Sequence, residues 1–220
     1  LISMNIANHQ AQVADPHPAV SLFNFHYAFP PATVAMNYAL GRALGDNETG
    51  FAGTADARYR MEAWAFILAG GALYNNLDYS FAVGHEDGSF AYPDTQPGGG
   101  SKALRRQLRT LAEFMASLDF VHMQPAPELV SGLPEGVRAQ VLAKAGEQVA
   151  VYLYRAEAEA WGRSAGMALA LPAGTYRGCW VDCETGAETD FTFGHAGGER
   201  SLPSPAFTHD VALRIVASRK

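Results

Sequence analysis

Cysteine is nearly absent from this sequence: the 220 residues contain two, Cys179 and Cys183, four positions apart. An extended segment would hold their Cα atoms ~13 Å apart, well past disulfide reach. Unless a tight turn intervenes, both are free thiols. No histidine or further cysteine stands at ligand spacing from them, so no metal site is expected. Basic charge is also short, with 16 Lys and Arg against 22 Asp and Glu and a net charge of -6. A nucleic-acid footprint needs the opposite balance, because counterions must be displaced from phosphates. The one basic cluster, Arg105, Arg106 and Arg109, has the spacing of a solvated helix face. No uninterrupted apolar run approaches the ~20 residues that span a bilayer, so neither a nucleic acid nor a membrane is an expected partner. The opening is unusual as well. The chain begins Leu1-Ile2-Ser3-Met4-Asn5-Ile6 inside a strand-like run, without initiator Met, charged leader or cleavage region, so the expectation is a chain that continues upstream. Its compartment stays unassigned, with secreted or periplasmic both open.

A hydrophobic fraction of 48% and a charged fraction of 17% supply apolar side chains for a sizeable core. The length suits two modest domains, or one domain and part of another. From residue 1 to about 120, short apolar runs alternate with helical patterns, as in repeated βα units with parallel strands. Leu1–Ala7 and Val20–Tyr27 read as the first two strands. Pro30-Pro31 opens a helix over Ala32–Leu40, and Ala43–Asn47 is a third strand running into Glu48. Asp56 is placed to cap a helix in which Met61, Trp64, Ala65 and Leu68 share one face. Gly70-Gly71 ends it, and Ala72–Phe81 reads as a fourth strand. After a Pro/Gly-rich loop, Ser101 has the position of an N-cap for a helix with Leu104, Leu108, Leu111, Met115 and Leu118 on one side. Past Pro125, Pro127 and Pro134 the helical period is gone. Val137–Lys144, Gln148–Arg155, Met167–Leu171, Thr175–Val181, Glu188–Phe193 and Ala212–Val216 alternate as short strands between turn residues, the pattern of an antiparallel β-sandwich. The expected fold class is therefore α/β plus all-β: four βα units over 1–124, half of a (β/α)8 TIM barrel, then a small sandwich over 125–220. Half a barrel would leave an apolar strand edge open.

Glu48 lies in Gly45-Asp46-Asn47-Glu48-Thr49-Gly50-Phe51, directly after a short buried strand. In a barrel this is the C-terminal rim, where catalytic groups collect. A carboxylate there can attack or stabilise an oxocarbenium-like sugar centre if neighbouring donors orient it. Asp46 and Asn47 would supply part of that polar shell. Asn24, His26 and Tyr27 end another strand, and Tyr74, Asn75, Asn76, Asp78 and Tyr79 lie along a third. Amides, imidazoles and carboxylates bind sugar hydroxyls, while aromatic faces cover sugar C–H surfaces. The simpler readings are an exposed turn glutamate, a core histidine at His26, core aromatics at Tyr79, Phe81 and Trp64, and a solvated loop at Glu86 and Asp87.

The blocks Val20–Tyr27, Gly45–Phe51 and Leu68–Phe81 resemble the last units of clan A, cellulase-superfamily glycoside hydrolases, and the layout resembles the apiosidase-like branch. Members of that branch follow the barrel with a small β domain often labelled collagen-binding. Its pattern is matched here by Gly174-Thr175-Tyr176-Arg177, Trp180-Val181-Asp182 and Thr185-Gly186. The resemblance implies that the first strand here corresponds to barrel strand five and that Glu48 is the nucleophile at the end of strand seven. It also implies a catalytic acid at the end of strand four, which this chain does not contain. A retaining glycosidase needs two carboxyl groups ~5–5.5 Å apart, and Glu86 is the one nearby substitute.

The leading expectation is thus a glycoside hydrolase fragment that cleaves O-glycosidic bonds in a complex carbohydrate with retention. Glu48 is its catalytic residue, and Asn24, His26, Tyr27, Asn47, Tyr74, Asn76, Asp78 and Tyr79 form the substrate-binding set, with no metal and no organic cofactor. The alternative is a non-catalytic carbohydrate-binding or assembly module, with Trp161 and Trp180 as a conceivable sugar platform. A third arrangement is self-association, or a separate partner half, closing the barrel over its exposed edge.

Overall fold

The computed structural model describes residues 1–93, 95–96, 98–155 and 162–218. They form two compact units, Leu1–Leu108 and Arg109–Lys220. The division falls inside a helix, ahead of the proline connector where the sequence pattern changes. Among the described residues no helix is long and apolar enough to cross a membrane.

The first unit is a parallel sheet made of β1 (Ser3–Asn8), β2 (Leu22–His26), β3 (Ala43–Glu48) and β4 (Leu73–Tyr74), paired in sequential order. The short helix α1 (Ala32–Asn37) links β2 to β3, and α2 (Asp56–Leu68) links β3 to β4. Phe23, Phe25, Val34, Leu44 and Phe66 pack into one apolar cluster on the helix side of the sheet. Two expectations for α2 need correction. Ala55, not Asp56, is the cap residue, and no side chain caps the helix; Asp56 is instead spent on Ser101, whose hydroxyl donates to it at 2.5 Å. The α2 helix is also buried on nearly all sides, with Arg60 and Glu62 inside along with Met61 and Trp64.

The long fourth strand expected over Ala72–Phe81 contracts to Leu73–Tyr74. Polar side chains take over the backbone after it: Leu77 N–H donates to Asn75 Oδ1 and Ser80 N–H to Asp78 Oδ1. Such local bonds compete with sheet pairing, which is why Asn and Asp favour turns.

Helix α3 (Lys102–Ala116) follows, and its start agrees with the sequence reading: Ser101 Oγ accepts from the amides of Ala103 and Leu104. Its basic cluster is not one solvated face. Arg109 is exposed and pairs with Glu113. Arg105 turns inward, donating to Asp78 Oδ2 at 2.7 Å and Ser80 Oγ at 2.8 Å, with its guanidinium 4.9 Å from the centre of the Phe81 ring. Arg105 therefore pins the irregular loop after β4. Arg105→Ala should cost about 2–3 kcal/mol, since it strands the half-buried Asp78 charge. Limited proteolysis is then expected to move to 77–90, and an unchanged cleavage pattern would refute the pinning role.

The second unit is antiparallel. Two short strands come first, β5 (Gln124–Pro125) and β6 (Val130–Ser131), then β7 (Arg138–Lys144), β8 (Gln148–Tyr154), β9 (Gly166–Leu171), β10 (Gly174–Val181), β11 (Glu188–His195), β12 (Gly198–Pro203) and β13 (Asp210–Ala217). A six-stranded sheet runs β11-β10-β13-β8-β7-β5 and a three-stranded sheet β12-β9-β6. Val141, Val151, Leu153, Met167, Leu169, Trp180, Leu213 and Ile215 share the core of this unit. Strands β5, β6 and β12 were not foreseen, being very short or polar. Trp180 is buried in the core, so it offers no sugar platform; Trp161 lies outside the described residues. Cys179 and Cys183 are both buried and neither is in a disulfide.

Candidate active site

The site is built where the parallel strands end. In β2, Phe25 faces the helix-side core, so Asn24 and His26 point to the opposite face. The β2–β3 register pairs Phe25 with Asp46 but His26 with Glu48, leaving Asn47 as an extra residue in β3. Such a bulge re-aims side chains. Simple alternation would put Asp46 and Glu48 on one face. The bulge instead leaves Asp46 on the core side with Phe25 and turns Glu48 to the open side beside His26. Strand β1 has a matching irregularity at Ile6.

Glu48 is partly open to solvent, its side chain 29% exposed. The Tyr27 hydroxyl donates to Glu48 Oε1 at 2.5 Å, and His26 Nδ1 lies 3.5 Å from Oε2. The two strand ends are also joined through the backbone, Tyr27 N–H donating to the Glu48 carbonyl at 2.8 Å. Partial burial, followed by the bond to the negative Glu48, pushes the Tyr27 phenol up to about 12. Tyr27 thus stays a hydrogen-bond donor throughout the neutral range. Its ring stacks on Phe51 with centroids 6.2 Å apart and meets the His26 and His9 rings. Tyr79, exposed and packed edge-on against Tyr92, is among the groups acting on the Tyr27 hydroxyl.

Four non-glycine residues among those described adopt left-handed backbone: His9, Tyr27, Phe51 and Leu77. Each follows the end of a different parallel strand, β1, β2, β3 and β4 in turn. A positive φ is costly for bulky side chains and concentrates where function over-determines the backbone. Phe51 is also 66% exposed, a large apolar ring held in water beside Tyr27.

The expected substrate-binding residues divide into two groups. His26, Tyr27 and Glu48 are in contact, and Tyr79 stands close by. Asn47 donates to Asn5 Oδ1 at 3.4 Å, tying β3 to β1. The others make bonds elsewhere. Asn24 is buried and donates to Ser3 Oγ; a Cβ on the neighbouring Gly45 would fall 2.2 Å from Asn24 Oδ1, so only glycine admits this amide. The Tyr74 hydroxyl donates to the Tyr59 carbonyl at 3.0 Å and meets Thr49. Asn76 bonds Gly99, closing the loop 98–100 onto the sheet, and Asp78 is held by Arg105. Glu86 sits on an exposed turn where the Gly84 amide, 3.0 Å away, holds its carboxyl below the usual glutamate range. A general acid needs the reverse shift.

Sequence reasoning did not foresee Phe51, whose signal was only an aromatic in a glycine-flanked turn. It also did not foresee Glu62, and it placed Asp46 in the polar shell of Glu48, whereas the bulge turns Asp46 to the core side. Asp46 is 1% exposed, and burial, then the Glu62 charge, raises its carboxyl to about 8. Glu62 is raised by burial too, partly offset by Arg58, whose Nε donates to it at 2.5 Å.

No protein-family model and no curated protein matches the chain. Among solved structures it is similar to a glycoside hydrolase at a TM-score of 0.56 and 18% identity, covering 87% of this chain and 46% of that one. A glycoside hydrolase family 5 protein from Bacteroides vulgatus gives 0.56 and 17%, over 87% and 44% of the two chains. A family 30 endoxylanase from Clostridium papyrosolvens gives 0.52 and 8%, over 90% and 49%. These likenesses show the fold, and the chain spans less than half the length of each structure.

Proposed function

We propose that the chain is the C-terminal part of a retaining glycoside hydrolase that cleaves O-glycosidic bonds in a complex carbohydrate, with Glu48 as nucleophile. The observation that carries this reading is the Glu48 carboxylate at the rim, one oxygen bonded by Tyr27 and the other beside His26. Glu48 attacks the anomeric carbon, the bond to the departing oxygen breaks, and a glycosyl ester forms that water later opens. Tyr27 orients the attacking carboxylate, and the exposed Phe51 and Tyr79 rings offer apolar faces to sugar C–H surfaces. In this reading the sheet of the first unit is the last four units of an eight-stranded barrel, spanning 1–124. The sandwich over 125–220 is the β domain that follows the barrel in the apiosidase-like branch.

One carboxylate cannot both attack and protonate. Glu86 is unsuited to the second role and Asp46 faces the core; in this reading the acid/base belongs to the other half of the barrel. It would arrive with the strands that pair against the open edges of β1 and β4, in the same chain or in a partner half.

The test exploits this division of labour. A dinitrophenolate leaves without protonation, so the nucleophile can be assayed without the acid. A panel of dinitrophenyl 2-deoxy-2-fluoroglycosides is expected to leave one sugar covalently attached to the Glu48 peptide, read by mass spectrometry. A folded chain that takes no label from any sugar, yet binds polysaccharide, would replace this reading with the non-catalytic module.

A further inference from the structure

We propose that Asp46 is the positioning residue of this site: its buried carboxyl holds the Tyr27–Ala28 turn and through that turn aims the Tyr27 hydroxyl at Glu48. The inference rests on the Glu48 reading for its catalytic meaning, but not for its geometry.

The observations come from opposite sides of the sheet. Tyr27 must adopt φ 55 to leave β2 and reach back over the rim, a conformation that a tyrosine does not choose for itself. Something must therefore hold the turn. On one side the Glu48 carbonyl accepts the Tyr27 amide. On the other, Asp46 Oδ2 accepts the Ala28 amide at 3.3 Å in a fully buried contact, and the Tyr27 amide also acts on the Asp46 carboxyl. The bulge at Asn47 makes this possible. It lets one strand send Asp46 under the turn and Glu48 over it, so a single segment supplies both the clamp and the group to be bonded.

A carboxyl is a costly residue for this place. Asp46 Oδ1 is buried with no hydrogen-bond partner, and leaving a buried oxygen unpartnered is costly. The groups facing Asp46 are Glu62 from α2, the Tyr27 and Ala28 amides and the Tyr27 phenol after β2, and the Tyr74 phenol on β4; Arg58 neutralises Glu62 rather than Asp46. Raised to about 8 by burial and then by the Glu62 charge, Asp46 stays protonated at neutral pH, a hydrogen-bond acceptor that adds no second negative charge behind Glu48. Asn should do the same job, whereas Leu, of similar bulk, offers no acceptor.

The experiment follows tyrosine ionisation in the full 220-residue chain by NMR, with 13C at Cζ of tyrosine and Tyr27→Phe to assign the signal. In the unmodified chain Tyr27 ionises near 12. Asp46→Leu is expected to bring it down by about one pH unit or more, toward the ordinary phenol value of about 10, as the hydroxyl swings away from Glu48. Asp46→Asn is expected to leave most of the elevation, because it removes charge but keeps the acceptor. Equal behaviour of the two variants, whether both keep the elevation or both lose it, overturns the proposal. A further readout needs no variant: the Ala28 amide signal should follow Asp46 ionisation centred near pH 8, and an amide that does not move between pH 6 and 10 also overturns it. Both readouts work without substrate. Failed covalent labelling with an intact Tyr27 response would therefore sink the hydrolase reading alone, and the converse would sink only the role of Asp46.

Discussion

Glu48→Gln is expected to suppress covalent labelling by activated fluoroglycosides by roughly 10⁴-fold or more, the scale on which removing an enzymatic nucleophile acts. The amide keeps the size of Glu48 and can still accept from Tyr27, so the site should remain assembled while losing the negative charge that attacks the anomeric carbon. That separation makes the variant informative. A fold intact by NMR with labelling gone assigns the chemistry to the carboxylate, whereas labelling that persists at another residue would remove Glu48 from its role. Tyr27→Phe serves as the internal comparison. It leaves the charge but frees Oε1, so its loss should be smaller.

The second large effect concerns stability against pH. The Asp46 carboxyl rises from 3.8 to about 8 on folding, so the folded chain binds a proton that the unfolded chain releases between those values. For an acid raised in this way, stability is fully present below the unfolded value and is lost as pH climbs to about 8. At about 1.4 kcal/mol per pH unit the loss is on the order of 5 kcal/mol, and Glu62, raised by the same burial, acts with the same sign. Asp46→Asn should remove the Asp46 share. Urea unfolding is expected to show the two chains close together at pH 4 and the Asn variant more stable by a few kcal/mol at pH 9. Parallel stability curves for the two chains would mean that Asp46 is not held protonated. The exposed acids with lowered values, Asp87 and Asp119, are common to both chains and cancel in the comparison.

Much of the fold is legible in the sequence alone. The run into Glu48, the Ser101 cap and the alternation of Met167, Leu169 and Leu171 each depend on neighbours within a few positions, where helical and strand periods are direct consequences of backbone geometry. Reading failed where polar side chains compete for the backbone, as Asn75 and Asp78 do after β4, and where a charge is claimed from far along the chain, as Asp78 claims Arg105. Strand β8 shows a related limit. Its near-continuous apolar run is buried along its whole length, with Val149, Val151 and Leu153 in the sandwich core and Ala150, Tyr152 and Tyr154 on the opposite face.

The sequence by itself determined the order of the helices and the longer apolar strands, the parallel-then-antiparallel character of the two units and the candidacy of Glu48, because these follow from local periodicity and from residue chemistry at strand ends. Only the tertiary structure decided which acid faces outward. Asp46 and Glu48 are two positions apart and would share a face in a regular strand. The pairing of β3 with β2 forces one residue out of register at Asn47, and that single slip sends one carboxyl into the core as a neutral acceptor and the other to the rim beneath Tyr27. Inter-strand register is a contest between distant segments for the same hydrogen bonds, and no window of local sequence records its outcome.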